Sequence, residues 1–307
     1  MRFERGSDIQ PEGEEGDMTE HSTDRGWFAG LEPGSVDDAR EAIESGSAAE
    51  PANWPQRAVD AGFAEGEADY YDLLHEATVD ATRAAVQQRE QADDKQLLHA
   101  VRAMDDATRT ANELAERLGE WAGTLFDDAG TGVDAARELA DREPASPLEA
   151  RVISLAERVD DLAGEADELR AFIERQAPEV APNLSEMAGA VLAARLIALA
   201  GGLEQLAKKP SGTVQVLGAE DALFAHLAGR GSSPKHGIIY THEYVSGTRP
   251  EDRGSAARAF AGKLSIAARV DHYSGERRPE IHDDLADRMS TIRARGTDGD
   301  DTTEGSQ

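Results

Sequence analysis

Apolar residues recur at helical spacing along most of the chain. Leu97, Val101 and Met104 are four and three apart, and Ala111, Leu114, Leu118, Trp121 and Leu125 continue at three, four, three and four. This predicts a helix from near Asp94 to about Phe126. A cleaner repeat follows. Leu148, Val152, Leu155, Val159, Leu162, Ala166, Leu169 and Ile173 alternate four and three throughout, which is a heptad seam. Its start is marked by Ser146-Pro147-Leu148-Glu149, a capping box with proline at the first helical position. Residues 129–146, opening on Ala129-Gly130-Thr131-Gly132 and containing Pro144, read as the turn. Two such helices joined by a short connection fold back as an antiparallel hairpin.

The flanks are also helical. Glu67 to Gln91 predicts one helix, and Ser35 with Asp37 and Asp38 marks the start of another. Trp27, Phe28, Leu31, Val36, Ile43, Trp54, Val59 and Phe63 are apolar anchors scattered among Gly and Pro, suited to a small domain or a lightly structured arm. Beyond the hairpin, Pro178 and Pro182 are expected to break the helix, with Asn183 capping the next one and Glu186 three residues on. Leu184, Met187, Val191, Leu192, Leu196, Leu199 and Leu203 supply a core face, and Gly201-Gly202 permit a bend. Residues 213–217 read as extended, 218–227 as a helix, 229–237 as a loop and 238–245 as extended. Arg253 to Tyr273 forms a last long helix and Pro279 to Arg295 a weaker one. The expected architecture is all-α: a disordered acidic N-terminus (1–25), a reduced N-terminal region with a connecting helix (26–93), a coiled-coil hairpin (94–180), a helical C-terminal domain (181–275), a further helix (276–295) and a disordered tail (296–307).

Composition sharpens this. Aromatic residues make up 5% of the chain and cysteine is absent, which favours helix over strand and excludes disulfides and thiolate metal sites. The most apolar run, Met187 to Leu203, is short for a membrane span and has Arg195 at its middle. It reads as a buried helix in a cytoplasmic, membrane-free protein with no signal peptide. The formal net charge is −29, with acids spread along periodic helices, as in a folded protein from a salt-rich cytoplasm. Residues 183–275 stand apart, with ten Lys/Arg against eight Asp/Glu. A near-neutral block in so acidic a chain points to an anionic ligand, nucleic acid first.

Candidate chemistry lies in that block. Gly218 and Ala219 stand at a helix start, where free N–H groups suit phosphate, or form an ordinary cap. Lys235-His236-Gly237 puts a cation and a flat ring on a loop, suited to phosphate and to a splayed base. Arg253, Arg258, Lys263 and Arg269 share a helix, but steps of five, five and six spread them around it. Two or three at most can meet one ligand, and Arg269 is open to a structural ion pair. His236, His242 and Glu243 lack a metal-ligand framework. No nucleophile elbow or glycine-rich phosphate loop appears, so neither catalysis nor a cofactor is expected.

Several ordered motifs carry a resemblance: Asn183-Leu184-Ser185-Glu186, the run Ala193 to Leu203, Val216-Leu217-Gly218-Ala219-Glu220-Asp221-Ala222-Leu223-Phe224, Pro234-Lys235-His236-Gly237-Ile238-Ile239-Tyr240, and Ala261 to Asp271. Together they resemble the Nop domain of the archaeal Nop-family core protein of box C/D guide ribonucleoproteins. Asp94-Lys95, Ala103-Met104-Asp105-Asp106 and Leu118-Gly119-Glu120-Trp121 resemble that family's coiled coil. The resemblance implies a non-enzymatic scaffold that grips a kink-turn RNA with a ribosomal-protein-like partner and positions fibrillarin for guided 2′-O-methylation of ribosomal or transfer RNA. The RNA and partner would be met at Gly218, Ala219, Glu220, Lys235 and His236, with Arg253, Arg258 and Lys263 as further candidates. Family self-association runs through the distal coiled coil, which is cut back here, and this argues against a homodimer. Asp221 and Ser255 stand where relatives carry basic residues. These departures leave a second reading, a protein–protein adaptor that kept the fold and lost RNA binding.

Overall fold

A computed structural model of the chain describes residues 26–32, 35–45 and 52–294. The disorder expected for residues 1–25 and for the tail from Gly296 lies outside this range. Among the described residues the secondary structure is helical, without strands. The chain divides into two compact units, residues 1–90 and 91–307.

In the first unit, α1 (Val36–Ser45) and α2 (Trp54–Asp60) pack on α3 (Glu67–Glu90), and α2 and α3 share an aromatic cluster. Phe28, Ala58, Phe63, Ala64 and Tyr70 are buried there, with Trp27 and Trp54 against them. Phe28 stacks on Phe63 with centroids 5.7 Å apart, and Trp27 meets Phe63 edge-on at 5.2 Å. The Trp27 indole donates to the Tyr70 hydroxyl at 3.3 Å, giving its polar edge a partner. Six of the scattered anchors, Trp27, Phe28, Leu31, Trp54, Val59 and Phe63, thus share one cluster.

The second unit opens with the hairpin of α4 (Asp93–Ala122) and α6 (Pro147–Val180). Two clusters fix it as antiparallel. The first half of α4 (Leu97, Leu98, Val101, Met104) shares a core with the end of α6 (Ile173, Ala177). Its second half (Ala115, Leu118, Ala122) packs on the start of α6 (Val152, Ile153, Ala156, Val159). The heptad row Val152, Val159, Ala166 and Ile173 is buried, whereas Leu148 is 49% exposed. Ser146 caps α6 as expected, its Oγ accepting from the Glu149 N–H at 3.2 Å. The connection departs from expectation. It holds a helix, α5 (Gly132–Ala140), whose Ala136 and Leu139 fill the hairpin tip.

The rest is a helical domain: α7 (Pro182–Ala188), α8 (Ala190–Ala200), α9 (Leu203–Lys208), α10 (Ser211–Val216), α11 (Glu220–Leu227), a 3-10 turn (Ile238–Thr241), α12 (Glu243–Ser246), α13 (Arg253–Tyr273) and α14 (Glu280–Ala294). Residues 213–217 and 238–245, expected as extended, are largely helical. Their β-branched residues bury singly, Val214, Ile239 and Val245 all joining the main core, which overrides strand propensity. Pro178 does not break α6 but sits exposed in its last turn, where loss of one N–H is tolerable. The break falls at Pro182, the first residue of α7.

The expected single helix over 187–203 is bent by 118° at Gly189, which has φ +77°. Glycine adopts that conformation without a Cβ penalty. No single helix among the described residues is long and apolar enough to cross a membrane. Leu184, Ala193, Leu196 and Ile197 are fully buried in the core.

Asn183 is not a cap. It lies inside α7, and its partner is Asp271 near the end of α13. The Asp271 carboxylate accepts from the Asn183 backbone N–H (3.0 Å), Asn183 Nδ2 (2.6 Å) and the Leu184 N–H (2.9 Å). Asn183 Nδ2 also donates to the Glu276 carbonyl, and its Oδ1 accepts from the Arg278 N–H. Both side chains are buried.

The hairpin root is tied to this domain by polar groups. Asp94 accepts from the Leu203 N–H at 2.8 Å, Lys95 donates to the Gly201 carbonyl at 2.9 Å, and Arg195 pairs with Asp105 at 2.5 Å. Asp271→Ala should destabilise the second unit by about 3 kcal/mol, because it leaves buried N–H groups without an acceptor. Urea unfolding in molar KCl measures this, and a loss under about 0.5 kcal/mol would show that the knot is not structural.

Candidate nucleic-acid interface

The two sequence segments expected to meet RNA are strapped together. The Gln215 carbonyl accepts from the Gly237 N–H at 2.9 Å, the Leu217 carbonyl accepts from the Ile238 N–H at 2.7 Å, and Gln215 Nε2 donates to the Lys235 carbonyl at 2.7 Å. Only glycine fits at 237, since a Cβ there would lie 1.9 Å from the Leu217 carbonyl oxygen. Gly218 has φ +79° and lies against Ile238. Its N–H is not free for phosphate, because it donates to Glu220 Oε1 at 2.9 Å, and the Ala219 N–H donates to the Val216 carbonyl at 3.0 Å. Glu220 thus serves as a local cap, which corrects the picture of an open amide cradle at these two residues.

From this strap α11 projects without a single buried residue. Phe224 is 64% and Leu227 72% exposed. On the other strand of the strap, His236 stacks on Tyr240 with centroids 4.5 Å apart and planes 18° apart. Arg253 lies over the Tyr240 ring at 5.5 Å and donates to the Thr248 carbonyl at 3.0 Å. Burial, with the nearby charges of Arg253 and Lys235, lowers the His236 pKa below its ordinary value. The neutral ring is then a flat stacking surface, and the exposed Lys235 beside it supplies the cation.

The cations of α13 have separate roles. Arg253 supports Tyr240, and Lys263 pairs with Asp284 of α14 at 2.8 Å. Arg269 is structural, but through the carbonyls of Ala207 and Lys209 rather than through an acid. Arg258 is exposed. Gly218, Ala219, Glu220, Lys235 and His236 are therefore brought together, with Arg253 joining them through Tyr240. Arg258 and Lys263 lie outside that group. Sequence reasoning missed Tyr240, Gln215 and the outward Phe224 and Leu227. The spacing of Tyr240 four residues after His236 was the available signal.

His242 has a different task. Its Nδ1 accepts from the Tyr244 N–H at 3.1 Å, capping α12, and its ring packs 4.6 Å from Phe260. Burial lowers its pKa. No cluster of metal-ligating side chains occurs among the described residues.

An antiparallel hairpin rooted in a helical domain that displays a strapped loop and an uncovered helix defines an α-helical scaffold. The family model described as "Nop: snoRNA binding domain, fibrillarin" matches residues 133–292. The chain is 33% identical over 269 residues to a NOP5 family protein of Methanocaldococcus jannaschii, covering 76% of this chain and 65% of that one. It is 32% identical over 237 residues to nucleolar protein 56 of Saccharomyces cerevisiae, covering 64% and 47%. The chain thus spans two thirds or less of these relatives' lengths. In fold it is similar to a chain of the crystal structure of a fibrillarin/Nop5p complex, at TM-score 0.51 and 23% identity, over 88% of this chain and 99% of that one. The chain belongs to the Nop family.

Gly237→Ala should unlatch the strap. Amide hydrogen exchange at Ile238 should quicken by roughly tenfold or more while α13 keeps its protection, and unchanged exchange would refute the steric argument. His242 carries a pH dependence. Its folded pKa is depressed, so its contribution to stability is full above the ordinary value of 6.5 and is lost as pH falls through the lower folded value. His242→Asn should flatten the stability-versus-pH curve below about pH 6.5, as read by thermal melts. An equal slope in both proteins would count against the cap.

Proposed function

We propose that the chain is a scaffold of a box C/D ribonucleoprotein. Its 181–275 domain grips a kink-turn RNA together with a ribosomal-protein-like partner, and the chain positions fibrillarin for guided 2′-O-methylation of ribosomal or transfer RNA. The observation that carries this reading is the surface around the strap. A neutral ring and an exposed lysine are held rigidly beside α11, whose large apolar side chains have no cover. His236 and Lys235 would meet RNA by stacking and charge. Gly218, Ala219 and Glu220 would shape the close approach, and Phe224 and Leu227 would bury against the partner protein. The tip closed by α5 supports a hairpin that ends on itself rather than continuing into a second copy.

The second reading, a protein–protein adaptor, draws on Asp221 in the first turn of α11 and on the apolar exposure of that helix. A gel-shift assay in molar KCl separates the two. The ligand is a box C/D kink-turn RNA already bound by its ribosomal-protein-like partner. The full chain should supershift it, and His236→Ala should weaken binding by roughly tenfold, the scale of one lost stacking contact at about 1–3 kcal/mol. Absence of a supershift from a chain with an intact helical circular-dichroism spectrum would select the adaptor.

A further inference from the structure

α13 turns one face outward. Arg258, Gly262, Ile266, Arg269 and Tyr273 are spaced by four, four, three and four and fall within about 80° of one another around the helix. Arg258 and Arg269 are exposed, Ile266 is 40% and Tyr273 68% exposed. Arg253 and Lys263 fall outside this arc and are engaged elsewhere. α9 and α10 pack beside α13. Arg269 donates to the carbonyls of Ala207 and Lys209 at 3.1 and 3.3 Å, which sets Lys209 at the same corner. Those acceptors are neutral, so the Arg269 charge is not cancelled. Arg258 and Lys209 form no ion pair among the described residues.

The charge pattern is the informative part. The chain holds 61 Asp and Glu in 307 residues, yet neither 205–219 nor 253–270 contains one. They hold most of this face; of the acids in α9 and α13, Glu204 pairs with Lys208 and Asp271 is buried. Arg258 and Arg269 are eleven residues apart, about 16 Å along the axis, which suits an extended polyanion better than a point charge. Tyr273, one turn beyond Arg269, offers a ring to an unpaired base.

We propose that this face of α13, with the α9–α10 corner, is a second RNA contact that carries the sugar–phosphate backbone of single-stranded RNA leaving the kink-turn. The inference rests on the scaffold reading given under Proposed function. The test uses the full chain and two RNAs, each bound by the ribosomal-protein-like partner: a minimal kink-turn and the same kink-turn with single-stranded extensions. The double variant Arg258→Gln/Lys209→Gln should bind the minimal RNA like wild type. It should lose roughly tenfold on the extended RNA, with a log-affinity against log-salt slope shallower by about 1.4, the share of two phosphate contacts. Tyr273→Ser should weaken only the extended RNA, without changing the slope.

Wild-type binding of both RNAs by a double variant of unchanged thermal stability overturns the proposal and leaves the strap reading standing. An equal loss on both RNAs overturns it too, since the face would then belong to the kink-turn grip. If wild type binds neither RNA, the scaffold reading fails and this inference with it.

Discussion

A buried carboxylate holds together the two ends of the C-terminal domain. Asp271, near the end of α13, takes N–H donors from Asn183 and Leu184 at the start of α7. Burial pushes its carboxyl up from the ordinary value, and these donors pull it back toward the ionised form. A carboxylate in such a place is tolerated only when its oxygens are satisfied. That requirement sets where α7 begins relative to α13. Asn183 extends the same knot to the Glu276 carbonyl and the Arg278 N–H, so the connection to α14 is tied as well.

The hairpin depends on the core so assembled. Its root is buried in the same apolar cluster as α8 and α13, and its polar ties reach backbone groups around Gly201–Leu203, where two helices meet. Asp94 satisfies the first N–H of α9, an orphan donor by position. Arg195 interrupts the most apolar run of the chain because its head group meets Asp105 across the hairpin. A charge that looked out of place in the sequence is thus a fastening between two parts of the fold.

The surface proposed for RNA is built on this frame by backbone, more than by charge. Hydrogen bonds from Gly237 and Ile238 to the carbonyls of Gln215 and Leu217 bring distant segments into one platform, and the steric demand at Gly237 allows no side chain there. Wherever salt screening weakens exposed charge, a stacking surface is a more durable contact than a cluster of lysines.

The hairpin and its seam were legible because period and capping act locally: Val152, Val159 and Ile173 repeat on one face, and Ser146 caps α6 as its motif implies. The extent of α13 was read for the same reason. The resemblance around Gly218 and Lys235–His236 located the segments of the candidate site. Only the tertiary structure decided the rest, because those features depend on partners far along the chain. Residues 213–217 and 238–245 are helical since single β-branched residues bury against a packed core, which propensity does not contain. The turn at 129–146 becomes α5 because the hairpin tip must be filled. Asn183 is a partner for Asp271 rather than a cap, and the α13 cations divide between inward fastenings and an outward face according to what packs beside each turn. Local pattern determines which segments are helices; long-range satisfaction of buried polar groups determines how they meet and which side chains remain free to bind.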